Sequence, residues 1–116
     1  MSRVLVTGAT GLLGRSLVPH LRAAGYELVE HGFAARADVH ADLRSASETA
    51  AMLAQVRPAC IINLAALTNV DACETDPHRA YQLNVASVEN LCHWIRQERL
   101  VQRDCHLIQI SSGQLY

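Results

Sequence analysis

The chain has 116 residues, half of them apolar and 18% charged, which suits one folded domain and excludes an intrinsically disordered chain. Its ten basic residues are all arginine and stand against eleven acids, a net charge of -1, so no basic stripe is available and general nucleic-acid binding is not expected. No apolar run reaches the ~20 residues that span a bilayer, and the N-terminus opens into a strand pattern, so a cytoplasmic protein without membrane association is expected.

Arg3–Thr7 (RVLVT) is a continuous β-branched run, as in a strand buried on both faces. A glycine-rich turn, Gly8 to Gly14, follows. Apolar residues at Leu13, Leu17, Val18 and Leu21 then mark a helix from Leu12 to Ala24, with Gly25 as its stop and Pro19 inside it as a source of bending. Glu27–His31 reads as a second strand. Ala34 to Leu43 is a polar connection with a short extended piece at Val39. Ser45 and Glu48 form the pattern of a capping box for a helix to Val56, which Pro58 ends.

Cys60–Leu64 (CIINL) is the third strand. Asp76 and Pro77 open a helix that carries Ala80, Leu83, Val88, Leu91 and Ile95 inward, with Trp94 and Tyr81 as packing residues. Cys105–Ser111 is the fourth strand. The order β-α-β-α-β-α-β predicts right-handed crossovers and a parallel sheet, the first half of a doubly wound Rossmann-like α/β fold with strand order 3-2-1-4. Cys60, Cys73, Cys92 and Cys105 make no C-x-x-C pair and no zinc spacing, so free thiols are expected; the neighbours Cys92–His93 and Cys105–His106 diverge too far to share a metal.

The strongest chemical signal is Gly8-Ala9-Thr10-Gly11-Leu12-Leu13-Gly14, set between a strand and a helix. Glycines there permit a tight turn, close approach of a pyrophosphate and close helix–strand packing. The helix N-terminus adds free N–H groups and a partial positive charge. A dinucleotide is therefore the expected ligand. The end of the second strand, His31-Gly32, has no acid for ribose hydroxyls, and Arg36 lies four residues on, where it can pair with a 2′-phosphate; NADP is preferred, with NAD the alternative. Leu64, Ala65 and Ala66 end the third strand, where the crevice of such a sheet lies, and Thr68 can add a hydroxyl.

The G-x-x-G-x-x-G spacing resembles the extended short-chain dehydrogenase/reductase family. The stretches Asn63-Leu64-Ala65-Ala66-Leu67-Thr68, Val70-Asp71-Ala72-Cys73-Glu74 and Leu83-Asn84-Val85 resemble the dTDP-4-dehydrorhamnose reductases within it. Gly32-Phe33 and the glycine run ending at Arg15 are also similar to the regulatory β subunit of methionine adenosyltransferase. The resemblance covers the whole chain. It implies cofactor contacts at Gly8, Thr10, Gly11, Leu12, Leu13, Gly14, Gly32, Phe33 and Arg36. It places Asp42 and Leu43 at the adenine, Asn84 on the helix behind the site, and Ser111-Ser112 at the end of the fourth strand. Ser112 would bond the substrate carbonyl as the catalytic hydroxyl.

The resemblance departs after Ser112, where Gly113-Gln114-Leu115-Tyr116 replaces the reductase pattern, and the family's Tyr-x-x-x-Lys is not among these residues, which include no lysine. Residues 1–116 are accordingly expected to be an incomplete NAD(P)-binding Rossmann domain, the substrate domain absent, inactive alone and prone to homodimerise through the open edge of its fourth strand. Three functions follow from the resemblance: the cofactor-binding part of a reductase acting on a nucleotide-linked 4-keto sugar, a non-catalytic NADP-binding regulatory subunit, or a nucleotide-sugar epimerase or dehydratase. The stretch Thr68-Asn69-Val70-Asp71 favours the reductase group over the third.

Overall fold

The computed structural model describes residues 3–32, 36–65, 77–101 and 103–109, and of residues 77–84 the helical backbone alone. In chain order the elements are β1 (Arg3–Thr7), α1 (Leu12–Ala23), β2 (Glu27–Glu30), α2 (Ala46–Val56), β3 (Cys60–Asn63), α3 (Pro77–Leu100) and β4 (His106–Gln109). All strand pairs are parallel, with Leu5 opposite both Val29 and Ile61, and Ile61 opposite Leu107.

The alternation along β1 sorts its side chains into two cores. Leu5 joins Ile61, Leu53, Met52, Val56, Leu91 and Ile95 under α2 and α3. Val4 and Val6 join Val18, Leu28, Ile62 and Leu64 under α1. Helices thus cover both faces, which is why β1 reads as an unbroken apolar run. Trp94 packs at the margin of the first core, as its spacing predicts, whereas Val88 is only half-buried and the inward stripe of α3 runs through Ser87, Leu91 and Ile95.

The sheet order is β2-β1-β3-β4, not the 3-2-1-4 expected of the four strands counted here. The physical reason lies at Val39, which makes a single parallel bridge to His31 on the outer side of β2. That bridge occupies the place of the third strand in the doubly wound order, so Cys60–Asn63 takes the fourth place, beside β1.

The helix ends follow local chemistry. Gly25 adopts φ +94° after α1, and its N–H and that of Tyr26 bond the Arg22 and Leu21 carbonyls at 3.0 and 3.3 Å, a Schellman arrangement. Pro19 lies inside α1, which runs on to Ala23. At α2 the capping box is half formed: the Ser45 hydroxyl accepts from Glu48 N–H at 3.2 Å, but the Glu48 carboxylate takes Asp42 N–H at 3.3 Å. Ser45 N–H instead donates to the Asp42 carbonyl at 2.9 Å, so the turn before the helix supplies the second half of the cap. Arg57 closes α2 at φ 52°, where glycine is usual.

Candidate functional site

The carboxyl ends of β1, β2 and β3 converge on the glycine turn. Gly11 N–H returns to the Gly8 carbonyl at 3.1 Å, and Arg15 N–H to Gly11 at 3.0 Å starts α1. Gly8 has φ +65°, and a Cβ there would lie 2.9 Å from the Ala65 Cα and N, so both conformation and contact demand glycine. At Gly14 a Cβ would overlap the Ala9 carbonyl, and the helix packs on the turn only because that atom is missing. Gly11 is the N-cap at φ -77°, with no side-chain bond to the first N–H groups and no acid in the first turn. Those N–H groups and the positive end of α1 face the turn, an arrangement that suits an anion.

Further expected contacts assemble around this turn. Gly32 lies against Thr10: a Cβ on Gly32 would meet the Thr10 Oγ1 at 2.5 Å. The Arg36 guanidinium donates to the Thr10 carbonyl at 3.0 Å, so it is held beside the turn. Leu12 and Leu13 are exposed at the helix start, Leu12 to 87%. Ala65 abuts Gly8, while Leu64 is fully buried in the second core.

On the far side, Asp42 is engaged by Arg44, whose Nε and backbone N–H reach Oδ1 at 3.0 Å each and whose Nη2 reaches Oδ2 at 2.8 Å. The Arg44 side-chain bonds foremost hold the Asp42 carboxyl below its ordinary range. Leu43, expected at the adenine beside Asp42, is 3% exposed and packs in the first core, and its carbonyl accepts from Thr49 Oγ1 and Asn90 Nδ2. Asn84 falls on α3, its side chain outside the described residues, and Phe33, Ala66, Thr68, Ser111 and Ser112 lie outside them altogether.

Two features escaped the sequence reading. Thr7, Asn63 and Gln109 stand in one register row across β1, β3 and β4. The Thr7 hydroxyl donates to Asn63 Oδ1 at 2.5 Å and Asn63 Nδ2 donates to Gln109 Oε1 at 2.7 Å, while Thr7 Oγ1 accepts Leu64 N–H at 3.1 Å. The signal was present: polar residues end two otherwise apolar strand runs. The second is His31, fully enclosed at 1% exposure. Its Nδ1 accepts Gly8 N–H at 3.1 Å and its Nε2 lies 2.8 Å from the Ala41 carbonyl. Burial pushes its pKa below the ordinary histidine value, against the Ala41 bond, and the charge of His40 adds to the lowering.

Cys60 and Cys105 are poor nucleophiles. Burial raises Cys60, and burial, with smaller contributions from Cys60 and Glu98, raises Cys105 to about 11. Cys60 packs with the second core and Cys105 with the first, on opposite faces of the sheet. Among the described residues no group of three His, Cys, Asp or Glu could hold a metal, and no helix is long and apolar enough to cross a membrane.

Comparison with known proteins agrees with this architecture. The family model described as RmlD substrate binding domain matches residues 1–116. A dTDP-4-dehydrorhamnose reductase of Streptomyces griseus is 32% identical over 98% of this chain and 34% of its own length. The methionine adenosyltransferase 2 subunit beta of Xenopus tropicalis is 35% identical over 77% of this chain and 27% of that protein. Among solved structures, the dTDP-4-dehydrorhamnose reductase of Bacillus anthracis in complex with NADP superposes with a TM-score of 0.66 at 29% identity, covering 91% of this chain and 34% of that one. The chain thus spans about a third of the length of the curated relatives it matches.

Proposed function

The chain belongs to the RmlD substrate binding domain family, and from that premise we propose that these residues form the NADP-binding part of a reductase acting on a nucleotide-linked 4-keto sugar. The observation that carries the reading is the glycine turn: a backbone that only glycine allows at Gly8 and Gly14, ending at an uncapped helix N-terminus with Arg36 beside it. A pyrophosphate fits that cradle, and the N–H groups of Leu12, Leu13 and Gly14 would hold it. Arg36, held at the Thr10 carbonyl, would take a 2′-phosphate. Asp42 would meet the adenine edge, with Ala65, Ala66 and Thr68 along the ribose and Asn84 behind it.

Bound NADPH would supply the hydride. Ser112, with Ser111 beside it, would orient the sugar carbonyl. The sequence has no lysine and so no Tyr-x-x-x-Lys pair for proton transfer, and no turnover by these 116 residues alone is predicted. A regulatory role without turnover, as the similarity to the adenosyltransferase subunit suggests, would use the same cofactor cradle. A cytoplasmic location and self-association through β4, the outer strand of the described sheet with Ile108 46% exposed, belong to the same proposal. Sedimentation checks the latter: a pure monomer at high concentration contradicts it.

Titration with NADPH and NADH, followed by nicotinamide fluorescence, tests the cofactor reading. NADPH should bind more tightly, and Arg36→Ala should remove the preference, a change of about tenfold or more for a lost charge-assisted contact. Equal binding of both nucleotides by the wild-type chain would exclude the role of Arg36.

A further inference from the structure

We infer that His31 is a positioning residue of this site: its imidazole ties the glycine turn to the connection that carries Asp42, and so sets the spacing between the phosphate side and the adenine side. The inference rests on the proposed NADP-binding function.

His31 belongs to neither side alone. Its backbone N–H extends the sheet to the Val6 carbonyl at 2.9 Å, and its carbonyl accepts Ala9 N–H at 2.8 Å. The ring then makes two opposed contacts, to Gly8 N–H at 3.1 Å and to the Ala41 carbonyl at 2.8 Å. These partners dictate the tautomer. A backbone N–H only donates, so Nδ1 carries no proton; a carbonyl only accepts, so Nε2 carries one. A neutral, rigid ring with an acceptor at one end and a donor at the other is the group that satisfies both.

The first contact bears on the residue whose geometry is most constrained. Gly8 sits at φ +65° against Ala65, and the bond to Nδ1 fixes its peptide plane. Asp42 follows directly after Ala41, so the second contact anchors the chain that delivers its carboxylate. Without the ring, Gly8 N–H would be buried with no acceptor and free to turn away, loosening the cradle that begins there.

Three substitutions in the 116-residue chain dissect this. His31→Asn places an amide oxygen near the Nδ1 position and keeps an acceptor for Gly8. His31→Gln reaches towards Ala41 with an amide N–H but offers Gly8 nothing. His31→Leu removes both. The readouts are the NADPH dissociation constant and the Gly8 amide resonance and its hydrogen exchange in nitrogen-15 NMR.

His31→Leu and His31→Gln should weaken NADPH binding about tenfold or more, with a shifted and faster-exchanging Gly8 amide. His31→Asn should rescue most of that loss and restore the Gly8 resonance, which a general loss of stability would not do. Wild-type affinity in His31→Gln, or no rescue by His31→Asn, would overturn the inference. Should the variants fail to fold, the ring nitrogen shifts of the wild-type chain decide: an Nε2–H tautomer supports the inference and an Nδ1–H tautomer overturns it. A wild-type chain that binds no dinucleotide would refute the proposed function instead, and the Gly8 amide would still report whether His31 holds the turn.

Discussion

At the scale of single residues, backbone conformation and burial decide what the site tolerates. Gly25 has φ +94° and open space around the position of a Cβ, so Gly25→Ala isolates the conformational cost: about 1 kcal/mol of stability, read by chemical denaturation. Gly8→Ala adds a collision with Ala65 backbone atoms to the same strain and should cost more. His31 gives a pH dependence whose sign is fixed. Burial holds its folded pKa below the ordinary histidine value, so well above that value neither state carries its proton and no stability is lost. Below it the unfolded chain binds a proton that the folded chain resists, and stability falls as the pH drops. Among the described residues, His40 acts on it directly, Asp38 accepts Glu30 N–H, Asp42 pairs with Arg44, and Arg36 is drawn to Thr10. Thermal denaturation from pH 8 to 5 should show a decline that is shallower in His31→Asn, and an equal slope in both proteins would contradict this assignment. None of these partnerships was legible in sequence, because Gly8 and Ala41 lie 23 and 10 residues from His31 and meet it only once the strands are in register.

At the scale of elements, much was legible and the misses have local causes. The runs RVLVT and CIIN announce buried strands because apolar β-branched residues suit a two-sided sheet. The strand order was misread because the outermost strand has shrunk to one bridge at Val39, too short for any periodicity. The capping box was half right because Glu48 finds the Asp42 N–H instead of that of Ser45. Two tests belong here. Arg57 ends α2 in the left-handed region, so Arg57→Gly should stabilise the protein by about 1 kcal/mol, and a loss of stability would show that the Arg57 side chain contributes more than its backbone costs. The Thr7–Asn63–Gln109 row joins three strands beneath the site, and Asn63→Leu leaves the Thr7 hydroxyl and Gln109 without their shared partner. A loss of about 1–3 kcal/mol is expected in urea denaturation, and no loss would mean the row is incidental.

At the scale of the molecule, helices on both faces leave the carboxyl ends of the strands as the place where backbone groups gather, and the glycine turn, Gly32, Arg36 and Ala65 all sit there. The sequence pattern located that edge, because a glycine run between a strand and a helix has one place in such a sheet. It did not show that Leu43 is core or that Asp42 is already paired, since both depend on packing against α2 and α3 and on the short link to Arg44. The central claim is that this edge holds a dinucleotide. Its most direct test is a nitrogen-15 NMR titration of the 116-residue chain with NADP. The account predicts shifts concentrated at the amides of Gly8 to Gly14, Gly32 and Arg36. No perturbation of these amides would contradict it.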